Sequence, residues 1–220
     1  MRVKLARDAR AGALSHQEYI EALQEAVMRS ELPVARSGGS APRFRITSGP
    51  PLRPGQTSRC EYVDFEMCRP LSGAEFGRRL AETLPAGIEL VWQKRLPAGA
   101  LHLMACVESL SYEIGGQFDP QRAALFNAAE HWPATRKRTK KEQTFDLKRS
   151  VTRLDVHPGG LSMRITVLAE GTPKPEDVLV SVFGMEPEEA QHLPMERTAI
   201  TLKSSSMANY QRRLSRNDAG

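Results

Sequence analysis

The order of helix and strand signals constrains this chain more than any single motif in it. Residues 2–5 alternate basic and apolar side chains as a strand does. Ser15-His16-Gln17-Glu18 then forms a capping box, in which the Ser15 hydroxyl accepts from the Glu18 N–H and the Glu18 carboxylate reaches back. Tyr19, Ile20, Leu23, Ala26 and Val27 recur at helical spacing and predict a helix to about Ser30, before Leu32-Pro33. A Gly/Ser/Pro-rich stretch follows, with one short strand expected over 43–47 and a turn at Gly49-Pro50-Pro51. Residues 60–67 alternate as a strand with one wet face. Ser72-Gly73-Ala74-Glu75 is a second capping box, with Phe76, Leu80 and Leu84 on one face of its helix, and residues 87–93 alternate again.

The second half repeats the order. Residues 101–114 read as a strand, and Asp119-Pro120 reads as an N-cap followed by proline at the first helical position. That helix is expected to turn Leu125, Phe126 and Ala129 inward. A short strand over 144–147 follows. Residues 151–157 and 161–168 form a hairpin around Pro158-Gly159-Gly160. Lys174-Pro175-Glu176-Asp177 opens a helix with Val178, Leu179, Val182 and Phe183 inside and Gly184 at its C-cap, and residues 198–203 close the pattern as a strand. Each half is therefore β-α-β-β-α-β, the split-βαβ order. The expected fold is α+β, two ferredoxin-like halves packed side by side. The halves span 1–96 and 97–204, with a flexible polar tail over 205–220.

The net charge of +5 on 220 residues conceals an uneven distribution. Residues 34–59 contain Arg36, Arg43, Arg45, Arg53 and Arg59 and no acid. Residues 135–153 contain Arg136, Lys137, Arg138, Lys140, Lys141, Lys148, Arg149 and Arg153 against Glu142 and Asp146. These segments carry +5 and +6, which leaves −6 on the rest of the chain. Both fall between the first helix and the strand pair of their half, and they would line one cleft if the halves pack about a pseudo-two-fold axis. Such asymmetry points to a polyanionic partner.

Several classes are set aside. No apolar run reaches the roughly 18 residues of a membrane span, and residues 1–10 lack the apolar region of a secretory signal, so a cytoplasmic location is expected. Cys60, Cys68 and Cys106 make no C-x-x-C pair, and the histidines have no metal-ligand spacing, so no metal or cofactor is expected on this chain. Cys60 and Cys68 read as buried structural thiols. No Walker A, dinucleotide, G-x-S-x-G or H-E-x-x-H motif occurs.

Leu14-Ser15-His16, Leu32-Pro33-Val34-Ala35, Ser37-Gly38-Gly39-Ser40-Ala41-Pro42-Arg43, Pro51-Leu52-Arg53-Pro54-Gly55 and Glu61-Tyr62-Val63-Asp64 resemble the signature of the radical SAM-linked protein family, a bacterial family of unknown function. So do Arg138-Thr139-Lys140-Lys141, Asp146 and Lys174-Pro175-Glu176-Asp177-Val178-Leu179. The resemblance covers nearly the whole chain except the tail. It implies an accessory module of a radical SAM protein, and that partner would carry the iron–sulfur cluster and S-adenosylmethionine. The three-cysteine motif of such an enzyme is missing here. The first half also resembles the RNA-binding ferredoxin-like domains of CRISPR repeat-processing proteins. Two positions depart from the family pattern. Ser40-Ala41 replaces Phe-Asn in the Gly-Phe-Asn-Pro loop, and Glu142 replaces glycine after the paired lysines. The turn residues Gly39 and Pro42 are kept.

The candidate binding residues are Ser15 and His16 at the helix start, Arg36, Gly39, Pro42, Arg43 and Arg45 in the first basic segment, and Arg136, Lys137, Arg138, Lys140, Lys141 and Arg149 in the second. Arginine forks suit phosphate, and Gly38-Gly39 allows close backbone approach. His16 is the one catalytic candidate, but no second histidine or carboxylate is spaced to complete a set. The expected function is a non-catalytic accessory module of a radical SAM system that binds structured RNA (tRNA or rRNA). The alternatives are a docking module without nucleic acid and a metal-independent endoribonuclease that uses His16.

Overall fold

A computed structural model describes residues 1–97, 99–138 and 141–203. The tail expected over 205–220 lies outside the described residues. The protein is α+β and forms two compact units, Met1–Val107 with Leu202 and Lys203, and Glu108–Thr201. Among the described residues no helix is long and apolar enough to cross a membrane.

The first unit contains β1 (Arg2–Arg7), α1 (Ala9–Gly12), α2 (His16–Ser30), β2 (Ile46–Ser48), β3 (Thr57–Phe65), α3 (Gly73–Ala81), β4 (Ile88–Lys94) and α4 (Leu103–Cys106). The strands pair in the order β4-β1-β3, with β2 on β3, and each pairing is antiparallel. Both bonds of the capping box at Ser15 are made. At Ser72 the hydroxyl accepts the Glu75 N–H, while the Glu75 carboxylate pairs with Arg78. Tyr19, Leu23 and Val27 of α2 and Phe76 and Leu80 of α3 share one core with Val3, Leu5, Val63 and Phe65. Phe76 and Leu80 are fully buried, which contributes about 1.5–3 kcal/mol each.

The second unit contains β5 (Val107–Gly115), α5 (Pro120–Ala128), β6 (Pro133–Arg138), β7 (Lys141–Asp146), β8 (Leu154–His157), β9 (Gly160–Thr166), α6 (Pro175–Phe183), α7 (Pro187–His192) and β10 (Met195–Leu202). The main strands lie in the order β10-β5-β9-β8, and β6 and β7 form a separate two-stranded ribbon. His157 faces Gly160 at the β8–β9 turn, as the Pro158-Gly159-Gly160 signal predicts. A Cβ on Gly160 would lie 2.0 Å from the Ile114 carbonyl oxygen, so the close approach of β9 to β5 requires glycine there. Gly184 caps α6 in the left-handed conformation.

Four local expectations are corrected. Residues 103–106 are a helical turn and not part of a strand, because Leu103 and Cys106 are both buried three residues apart. Leu125 points outward, while Ala123 and Phe126 carry the inner face of α5. Helix α7, with only Ala190 buried, gave no periodic signal. Cys68 is exposed, whereas Cys60 and Cys106 are buried, and all three are free thiols.

Candidate polyanion interface

The first basic segment begins as a pinned loop. Arg36 bridges Phe44, the Ser37 N–H donates to the Arg43 carbonyl at 2.8 Å, and the Arg43 N–H donates to the Ser37 hydroxyl at 3.0 Å. Gln24 of α2 fastens it: its amide donates to the Phe44 carbonyl and accepts the Phe44 N–H, both at 2.8 Å. Gly39 turns the tip at φ +105°, a region that favours glycine, and Pro42 follows it on the exposed side. The Arg36 guanidinium stands 4.4 Å over the Phe44 ring, Arg43 is exposed, and Arg45 pairs with Glu66 at 3.2 Å. Ser15 is engaged in its capping box. His16 is exposed at the first position of α2, and among the described residues no hydrogen bond or ion pair engages it.

The second segment is the ribbon. Its root is tied down by groups distant in sequence. Arg136 makes a two-point ion pair with Asp177 of α6, with Nε to Oδ1 at 2.9 Å, and both side chains are largely buried. Asp177 also accepts the Lys174 N–H at 2.6 Å at the start of α6. At the other edge of the root, the Asp146 carboxylate accepts the N–H groups of Trp132 and Lys148 at 2.9 and 3.0 Å and meets His131 Nδ1 at 2.8 Å. These bonds, the Trp132 N–H first, hold its pKa below the ordinary aspartate value. Lys148 donates to the carbonyls of Phe126, Asn127 and Thr152, Arg149 pairs with Glu170, and Arg153 pairs with Asp155.

Of the remaining cations, three belong to the paired strands at the far end of the ribbon. Lys137 stands opposite Glu142, and Arg138 stands opposite Lys141. Thr139 and Lys140 lie outside the described residues. Like charges directly opposite each other on a two-stranded ribbon destabilise it. The two basic segments belong to different units, so the shared cleft remains an expectation.

Sequence reasoning missed a second feature of the first unit. Tyr62 stands opposite Lys4, and Lys4 opposite Trp92, in one row across β3, β1 and β4. The signal was present as strand alternation. It needed the register to become a site, because Tyr62 and Trp92 are 30 residues apart. Among the described residues no group of three or more His, Cys, Asp or Glu side chains is placed to hold a metal ion.

Residues 1–175 match the model of a family described as "Uncharacterized protein conserved in bacteria" (DUF2344). The chain belongs to this family. The match includes the whole first unit up to Val107, the ribbon and both basic segments, and it ends at the first residue of α6. No curated protein matches the chain.

Proposed function

We propose that this chain is a non-catalytic accessory module that binds a folded RNA through its basic segments and serves a radical SAM enzyme. The observation that carries the RNA reading is the register of the ribbon, which sets Arg138 against Lys141, next to the pair Lys137 and Glu142. A free protein bears the cost of that juxtaposition, and neutralisation by phosphates relieves it. The exposed Arg43 and the ring-stacked Arg36 offer a second cationic surface on a loop held by Gln24. The antiparallel order β4-β1-β3-β2 supports a ferredoxin-like reading of the first unit, as does the order β10-β5-β9-β8 for the second. In that reading the ribbon is an insertion after α5, at the point where the first unit carries its own basic loop after α2. The likeness to CRISPR repeat-processing proteins rests on the same order. The radical SAM partner rests on the family resemblance. That enzyme would hold the iron–sulfur cluster and S-adenosylmethionine, and a cytoplasmic location follows from the same reading.

Filter binding of tRNA across a salt series tests the proposal. Binding is expected at low salt, with affinity falling steeply as salt rises and falling with Lys140→Glu/Lys141→Glu. No binding at low salt would overturn the RNA reading. Salt-sensitive binding to a radical SAM protein alone would then assign the segments to protein docking. RNA that is cleaved by the wild type but not by His16→Ala would replace the accessory role with a nuclease.

A further inference from the structure

One face of the first unit's sheet is closed by α2 and α3, which pack on Val3, Leu5, Val63 and Phe65. Strand alternation sends Arg2, Lys4, Tyr62, Asp64 and Trp92 to the opposite face. Helix α4 packs against β2 and β3, with Cys106 beside Arg2. Beyond it Trp92 remains 41% exposed. Tyr62 and Trp92 meet edge to face, with ring centroids 6.5 Å apart and planes at 89°. That geometry leaves the rings unstacked on each other, so ring faces are available to a third π-system.

The charge around this row is positive at one end. Arg2 is neutralised by Asp64 through two bonds of 2.7 and 2.8 Å, but Lys4 stands between the aromatic rings in register. Arg95 follows β4 three residues after Trp92, about 10 Å along the chain. Arg95 and Arg69 line a pocket of about 180 Å³ together with Met67, Cys68, Pro70 and Leu71, and no acid lines it. Aromatic rings on a sheet face, with a cationic pocket at the end of the sheet where β1 begins and β4 ends, are what an unstacked base with its backbone phosphate requires.

We infer that this face is a stacking platform for a single-stranded nucleic-acid segment. Trp92 and Tyr62 receive bases, and the Arg69–Arg95 pocket receives a backbone phosphate. The inference deepens the RNA reading above and rests on it. It assigns the ribbon to the folded part of the RNA and this face to an unpaired end or loop.

The test uses the full chain with Trp132→Phe, which leaves Trp92 as the sole tryptophan. Titration with decamers of oligouridylate and oligodeoxyuridylate at low salt is expected to quench Trp92 emission to saturation, with the ratio of the two affinities reporting any preference for the 2′-hydroxyl. Trp92→Ala is expected to weaken binding of a labelled decamer by roughly 10- to 100-fold, and Trp92→Phe, which keeps a ring, by much less. Arg69→Glu/Arg95→Glu should weaken it about tenfold or more and flatten its salt dependence. Absence of quenching by both decamers, with tRNA binding intact, would overturn the platform and leave the ribbon reading standing. Decamer quenching combined with tRNA binding unaffected by Lys140→Glu/Lys141→Glu would retain the platform and remove the ribbon. Emission that shifts with protein concentration alone, without response to decamers, would assign the face to self-association and overturn the inference.

Discussion

The loop around Arg43 follows α2 and the ribbon around Arg138 follows α5, yet they use their cations differently. The loop is fastened through its backbone, by two bonds from one neutral side chain, Gln24. Of the arginines around its tip, Arg43 is exposed, Arg36 stacks on Phe44 and Arg45 pairs with Glu66. The ribbon is fastened through charge. Arg136 is committed to Asp177, and Asp146 gathers Trp132, Lys148 and His131. The difference teaches that a basic run is not one functional object. Four cations over 136–153, Arg136, Lys148, Arg149 and Arg153, are held by local partners, whereas the register of the ribbon sets Arg138 opposite Lys141.

The largest effect that separates the two regions is expected at the Arg136–Asp177 pair. Removing either partner leaves the other charge largely buried, so Arg136→Ala or Asp177→Ala should destabilise the second unit by about 2–3 kcal/mol. Urea unfolding followed by Trp132 emission in a Trp92→Phe background checks this. A double variant close to either single variant would show that the pair acts as one interaction. Gln24→Ala should cost about 1–2 kcal/mol and act on the other region, by releasing the Phe44 N–H and carbonyl. Hydrogen exchange should then rise at Phe44 and stay unchanged at Trp132.

A third way to divide the regions is pH. The folded-state pKa of Asp146 is depressed, so its contribution is fully present above the unfolded aspartate value of about 3.9. It is lost as pH falls through the folded value. Exchange of the Trp132 N–H should therefore accelerate below about pH 4, before that of Phe44, and Asp146→Asn should remove most of the acid dependence. The smallest effect is expected at Glu66→Gln. Arg45 and Glu66 are about half exposed, so stability should change by less than about 0.5 kcal/mol. Freeing Arg45 should slightly strengthen polyanion binding.

What the sequence made legible was local. Ser15 and Glu18 are three residues apart and their capping box forms as the spacing dictates. Asp119-Pro120, Gly184 and the turn at Pro158-Gly159 are likewise decided by near neighbours. The ribbon was hidden because its strands are nearly all polar and lack the apolar alternation that identifies a strand. Its anchor, Asp177, lies 41 residues from Arg136 and had already been explained by its place in the first turn of α6. Residues 103–107 misled because an unbroken apolar run does not separate strand from helix by period. The row Tyr62–Lys4–Trp92 needed β1 to be placed between two strands that follow it in the chain. Thus the order of helices and strands along the chain was largely readable, whereas the candidate interfaces depended on register and on distant ion pairs.

The claim that the ribbon end meets phosphate is tested most directly by the salt dependence of tRNA binding to Arg138→Glu/Lys141→Glu. Each lost phosphate contact lowers the slope of log K against log salt by about 0.7–0.9. The double variant should show a slope smaller by about 1.4–1.8 and an affinity reduced roughly 100-fold at low salt, with the urea transition unchanged. A wild-type slope and affinity in the double variant would contradict the account.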